Sequence, residues 1–175
     1  MSDLIQIRLS SAAADAKWGK NVALTPDAAG YQLHVKAADL RAVQKAGRQL
    51  DTLGIQQFQL AGDGWTVDSQ WALYQGFCTA KKLGAIGWTG TDAEQQQLQQ
   101  LHQTYSWAKA IINQTPEDLS PQTLCAEATA FLEAVAPRGS ITARTIAGDE
   151  LLAEGWIGLH AVGRGSDRAR RVAGL

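Results

Sequence analysis

Within the first part of this chain the spacing of apolar side chains switches from a period of two to a period of three to four, back, and forward again, an alternation that a layered α/β arrangement accommodates. Ile5, Ile7 and Leu9 fall on one face of segment 4–9, with Gln6 and Arg8 on the other, as in a half-buried strand. A second strand is predicted at 31–36, where Tyr31, Leu33 and Val35 alternate with Gln32, His34 and Lys36. His34 then lies on the polar face, and Ala28-Ala29-Gly30 supplies a turn ahead of it. From residue 39 the period lengthens. Leu40, Val43, Gly47 and Leu50 line one side of a helix over 39–53, and Gly54 stands where a left-handed cap is wanted. Residues 55–60 return to strand, Ala61-Gly62-Asp63-Gly64 breaks it, and Val67, Trp71, Tyr74 and Cys78 mark the stripe of a second helix.

Residues 81–91 contain three glycines and no helical stripe, so they read as the boundary of a first unit. A long helix follows over 92–113, with Leu98, Leu101, Tyr105, Ala108 and Ile112 as its apolar stripe and glutamines on its other faces. Such a helix is roughly 33 Å long and suits a rigid connector, the alternative being a core helix of a single domain. Pro116 closes the segment after it. Ser120 as N-cap and Pro121 at the first helical position open another helix, whose buried stripe is expected to be Leu124, Cys125, Ala128, Phe131, Leu132 and Val135. Pro137 and Gly139 stop it, a short strand is predicted at 141–146, Gly148-Asp149 cap a short helix, and no internal repeat is visible. The organisation expected is an α/β domain over 1–90, a linker helix over 91–114 and the beginning of a second α/β domain over 115–175.

The 175 residues can bury about 70% of the unfolded surface. With 45% hydrophobic and 19% charged residues and a net charge of -1, the chain is neither disordered nor collagen-like, and broad nonspecific binding of nucleic acid is disfavoured. No run of about 18 apolar residues exists, and the first residues alternate rather than form a leader, so a cytosolic chain that does not enter a membrane is expected. Cys78 and Cys125 make one possible pair and read as buried free thiols, which excludes a disulfide scaffold.

Compact active-site signatures are absent. His34, His102 and His160 have no second His or Cys at ligand spacing, and there is no nucleophile elbow, His-Glu-x-x-His or phosphate loop. Gly62-Asp63-Gly64 superficially resembles a dinucleotide turn, but it lacks the third glycine and the following acidic residue, so it reads as a plain turn. Gly163-Arg164-Gly165-Ser166 could present N–H groups and a guanidinium to an anion, yet with no helical pattern after it a tight loop is expected. Trp18, Trp65, Trp71, Trp88, Trp107 and Trp156 share no strand face and are read as packing residues rather than a carbohydrate platform. No catalytic, metal or cofactor-binding residue is assigned.

Two segments carry a resemblance. Trp107-Ala-Lys-Ala-Ile-Ile-Asn113, followed by Leu119-Ser-Pro121 and Leu124, and then Gly155-x-Ile-Gly158-Leu-His-Ala-Val162-Gly-Arg-Gly-Ser166, resemble the leucine aminopeptidase family, most closely its bacterial peptidase B branch. Asp15-Ala-Lys-Trp18-Gly, Leu50-Asp51-x-Leu-Gly54-Ile and Gln59-Leu-x-Gly-x-Gly-Trp65 agree with that branch, so the likeness runs from residue 1 to about 166. Two features depart from it. Proline stands three residues after Asn113 rather than two, at Pro116. After Ser166 the family's hydrophobic strand is replaced by Asp167-Arg-Ala-Arg-Arg-Val-Ala-Gly-Leu175, whose Arg168, Arg170 and Arg171 would make a poor buried strand.

The resemblance implies removal of N-terminal amino acids from peptides by a homohexamer with two divalent metals, manganese or zinc, and a macro-like N-terminal domain joined by a long helix to the peptidase domain. In the family the metals are held by a lysine, three aspartates and a glutamate, with a second lysine and an arginine assisting. All of these follow the point where this sequence stops, so none is carried over to a residue here. Lys81, Lys82, Asp149 and Glu150 match no ligand motif and read as solvated charges. The expectation is the N-terminal portion of an aminopeptidase, inert by itself and binding no metal of its own. The alternative reading is a free-standing, non-catalytic binding or assembly module for a small anionic ligand or regulatory partner. DNA binding through Arg164, Arg168, Arg170 and Arg171 is a weaker third.

Overall fold

The computed structural model describes residues 4–78, 85–165 and 171–174. The chain divides into two compact units, Met1–Trp107 and Ala108–Leu175, and the division falls inside the long helix.

The first unit contains β1 (Gln6–Leu9), β2 (Leu24–Asp27), β3 (Gly30–Leu33), α1 (Leu40–Thr52), β4 (Gln57–Ala61), α2 (Val67–Phe77), β5 (Ala85–Gly87) and most of α3 (Asp92–Ile112). Its sheet has the order β2-β3-β1-β4-β5. β3, β1, β4 and β5 are parallel, and β2 is an antiparallel edge strand. The connections through α1 and α2 both step in the same direction across the sheet, so right-handed crossovers place both helices on one face. There the register aligns Ile7 with Tyr31 and Leu60, Leu9 with Leu33, and Phe58 with Ile86. Val43, Ala46 and Leu50 of α1 and Ala72, Leu73 and Phe77 of α2 close the core over them. The alternate positions, Arg8, Gln57 and Gln59, are exposed on the opposite face.

α1 begins where the Asp39 carboxylate accepts the Ala42 N–H at 3.0 Å and ends before Gly54, whose φ of 79° supplies the expected left-handed cap. α1 and α2 touch backbone to backbone. A Cβ on Gly47 would run into the Leu73 carbonyl oxygen, and one on Gly76 into that of Gln44.

The α/β expectation is met, with two strands added. β2 was hidden by Pro26 and Asp27, which an edge strand tolerates because its outer N–H groups need no partner. The glycine-bearing segment read as a boundary contains β5, which pairs with β4, whereas Lys81 and Lys82 lie outside the described residues. The strand predicted at 31–36 is Gly30–Leu33.

The second unit contains the end of α3, α4 (Pro121–Val135), β6 (Arg144–Ala147), α5 (Glu150–Ala153), α6 (Ile157–Gly163) and β7 (Arg171–Gly174), with β6 and β7 antiparallel. α4 starts as expected. The Ser120 hydroxyl accepts the Thr123 N–H at 3.2 Å, and the Thr123 hydroxyl accepts the Ser120 N–H at 2.8 Å. Its stripe is not buried as predicted: no α4 residue is buried, and Leu124 and Val135 are exposed. The strand predicted at 141–146 begins at Arg144, and the glycine-bearing run after Gly155, to which the sequence assigned no element, forms helix α6. A strand does form at Arg171–Gly174, while Arg168 and Arg170 lie outside the described residues. Among the described residues of this unit the buried apolar side chains are Ile111, Ile146 and Leu151.

Candidate functional site

In an open α/β sheet, ligands collect outside the carboxyl ends of the strands, near the point where the strand order reverses. In the first unit that place lies beyond β1 and β4, where the 62–65 turn approaches β1: the nearest atoms to a Cβ on Gly62 and Gly64 would be Arg8 Cγ and Leu9 Cδ2. Both glycines have positive φ, 77° and 88°, which is turn geometry. The Trp65 indole N–H folds back onto the Ala61 carbonyl at 3.2 Å. The N-terminus of α2 follows, where a phosphate would ordinarily find free N–H groups. Here Thr66 Oγ1 accepts the Ser69 N–H at 3.2 Å and Ser69 Oγ accepts the Thr66 N–H at 2.9 Å. This capping box uses donors that an anion would need.

Also beyond β3 sits His34. Its Nδ1 is 2.9 Å from the Ala12 carbonyl oxygen, which can only accept, so Nδ1 carries the hydrogen and Nε2 accepts from the Thr25 hydroxyl at 2.9 Å. The ring pins the 10–23 connection to the sheet, and both nitrogens are engaged.

A second concentration of side chains lies between α2 and α3. Trp71 stacks on Tyr74 with centroids 5.1 Å apart, Tyr105 meets Trp71 edge-on at 5.4 Å, and Trp88 and His102 close on Tyr74 at 5.7 and 5.1 Å. Burial, with the Cys78 thiol alongside, pushes the Tyr74 hydroxyl far above the usual phenol range, so it stays neutral. Burial likewise holds the His102 imidazole below its ordinary value. Here the unfolded chain takes up the proton first. The contribution of His102 to stability is therefore complete above the ordinary imidazole range, about 6.5, and declines as pH falls through it. Thermal melts between pH 7.5 and 5 are expected to show falling stability, with a shallower fall in His102→Gln; identical pH slopes would contradict this. These ring contacts pack α2 against α3.

A cavity of about 480 Å³ opens at the amino ends of the strands, walled by Leu4, Ile5, Tyr31, Leu53 and Ile55. It faces away from the carboxyl-end crevice, and Tyr31 is its one titratable side chain.

The remaining candidates stay apart. In the second unit His160 Nε2 lies 3.4 Å from Asp149 Oδ1, and Glu150 binds the Arg144 guanidinium at 3.1 Å, with Glu154 on the same nitrogen. Among the described residues no three His, Cys, Asp or Glu side chains come together to hold a metal ion. Gly163 is the last residue of α6, and Arg164 and Gly165 follow its carboxyl end, where the Arg164 N–H is bonded to the Ala161 carbonyl; this end offers carbonyl groups, unsuited to an anion, and Ser166 lies outside the described residues. Cys78 is buried as expected and Cys125 only half-buried; neither is in a disulfide. Trp65, Trp71 and Trp88 pack on the core, but Trp18 and Trp156 are exposed, against the packing expectation. No helix among the described residues is long and apolar enough to cross a membrane.

One arrangement escaped the sequence reading. The buried Gln70 amide donates to the Thr89 carbonyl and accepts the Thr89 N–H, both at 3.0 Å, fastening the segment that follows β5 to α2. Its partner is nineteen residues away and is a backbone, so no side-chain pattern announces it.

These features define a layered α/β domain built on a five-stranded mixed sheet. Residues 6–92 match the family model DUF3663, described as "Peptidase". The chain is similar along its whole length to proteins named Peptidase B. It is 40% identical to that of Vibrio atlanticus (strain LGP32) and 41% identical to that of Vibrio parahaemolyticus serotype O3:K6 (strain RIMD 2210633), over 177 residues in each case. It covers 100% of this chain but 41% of each relative, as an N-terminal portion. Among solved structures the fold is shared with the bottromycin maturation enzyme BotP, at a TM-score of 0.60 and 16% identity over 97% of this chain and 45% of that one. BotP in complex with Mn gives 0.64 and 16%, over 99% and 44%.

Proposed function

We propose that this chain supplies the N-terminal portion of a cytosolic, metal-dependent aminopeptidase of the peptidase B type, with residues 91–114 as the connector to the peptidase domain. The whole enzyme would release N-terminal amino acids from peptides as a hexamer. The observation that carries this reading is the 40% identity to Peptidase B along the entire chain, set against coverage of 41% of that relative. Two divalent metals, manganese or zinc, would polarise the scissile carbonyl and activate water in the complete enzyme. Their ligands are assigned to the part of the polypeptide that this chain does not match. The role left to the residues here is to fold, cap and present helices to that part. Titration of manganese into the purified chain is expected to give no stoichiometric binding; one or two sites of micromolar affinity would contradict the assignment.

A further inference from the structure

We propose that Asp63-Gly64, in the turn between β4 and α2, is a site of spontaneous covalent modification, at which the backbone isomerises through a cyclic imide to isoaspartate.

It is the one Asp-Gly pair in the chain, and Asn-Gly does not occur. In such a pair the glycine nitrogen has no Cβ beside it, so it can approach the preceding carboxyl where a larger residue would stand in the way. The reaction needs no partner other than water. The Gly64 nitrogen attacks Asp63 Cγ, an N–C bond forms, and the carboxyl hydroxyl leaves with the amide hydrogen as one water. Water then reopens the ring. Opening at Cγ restores aspartate, whereas opening at the main-chain carbonyl leaves the chain running through Cβ and Cγ as isoaspartate, of unchanged composition.

The fold selects this position by what it leaves unheld. Asp15, Asp27 and Asp39 engage a carboxylate oxygen with the N–H of Lys17, of Ala29 and Gly30, and of Ala42. Asp118 accepts the Thr115 hydroxyl, and Asp149 lies beside His160. Asp68 stands in the first turn of α2, and the N–H that follows it, that of Ser69, is bonded to Thr66 Oγ1. Among the described residues neither the Asp63 carboxylate nor the Gly64 N–H has a hydrogen bond or ion pair. Gly62, Asp63 and Gly64 are all exposed, so water reaches the ring, and Asp63 sits between two residues without side chains.

The product bears on the turn itself. The Trp65 indole N–H, bonded to the Ala61 carbonyl at 3.2 Å, clasps the turn across the pair, and Thr66 and Ser69 close the capping box directly after it. Isoaspartate adds an atom to the main chain between these anchors. The turn must then bulge or the clasp must open, at the carboxyl end of the sheet beside Arg8 and Leu9.

The test is incubation of the folded chain at physiological temperature in mildly acidic buffer, followed by methyl transfer from S-adenosylmethionine with an isoaspartyl methyltransferase and by peptide mapping. Isoaspartate is expected to accumulate at residue 63 at least tenfold faster than at any other aspartate. Asp63→Asn, which closes the same ring with loss of ammonia, should raise the rate at least fivefold. Asp63→Glu, which keeps the charge and lengthens the side chain, should abolish the signal, and both variants should melt with the parent because the position is exposed. The isomerised fraction, separated by ion exchange, should melt below the parent. Isoaspartate that forms in the urea-unfolded chain but not in the folded one would overturn the proposal, as would modification spread over other aspartates or a signal that survives Asp63→Glu. An isomerised fraction that melts with the parent would contradict the effect on the clasp.

Discussion

Gly76→Ala is expected to destabilise the first unit by about 3 kcal/mol, the range of overpacking at a site that cannot relax. The added methyl would overlap the Gln44 carbonyl oxygen, with the carbonyl carbon of the same residue directly behind it. Both belong to the backbone of α1, so no side-chain rotation relieves the clash. Relief requires the helices to separate, which would loosen Val43, Ala46 and Leu73, all fully buried. Alanine's better helix propensity returns only about 1 kcal/mol. Thermal unfolding should show a fall on the order of 10 °C, and Gly47→Ala should behave alike because it would meet the Leu73 carbonyl from the other side. A shift of a degree or two would mean that the helices are further apart than described.

Gln70→Ala is expected to cost about 2–4 kcal/mol. Gln70 is 1% exposed, and its amide engages both the N–H and the carbonyl of Thr89. Truncation leaves two backbone groups without the partner they had, each worth about 1–3 kcal/mol if water cannot reach it. Gln70→Glu separates hydrogen bonding from packing: a carboxylate keeps the acceptor for the Thr89 N–H but repels the Thr89 carbonyl, so it should rescue little. Urea unfolding of the three proteins checks this, and equal midpoints would show that the Thr89 contact carries no stability.

How far the sequence disclosed this molecule depended on whether a signal lay along the chain or across it. α1 was legible because Val43, Gly47 and Leu50 recur on one side with Asp39 ahead and Gly54 behind, and all three are buried. α4 was legible in its ends, since Ser120 and Pro121 are local start signals, but not in its burial, which depends on what packs against it. α3 was legible in length and only partly in orientation: Leu98 is buried, yet Leu101 is at the border of exposure and Ile112 is 79% exposed, while Ile111 is buried. β2 and β5 escaped because an edge position suspends the composition rules on which strand recognition relies. α6 escaped because Gly155, Gly158 and Gly163 interrupt the apolar spacing from which a helix is read.

The candidate site was legible mainly as a likeness. His34 on the polar face and the plain turn at Gly62-Asp63-Gly64 followed from alternation and spacing. The His34 clip to Ala12 and Thr25, the Gln70 brace and the ring cluster around Tyr74 join segments far apart in sequence and include backbone partners, which no periodicity encodes.

The central claim, that this chain shapes an aminopeptidase whose reactive groups reside in the unmatched portion, is tested most directly by a manganese-supplemented assay on aminoacyl substrates, run on the folded chain alone and on the chain co-expressed with that portion. The account predicts silence from the chain alone and chelator-sensitive release of N-terminal residues from the pair. Chelator-sensitive turnover by the chain alone would contradict it.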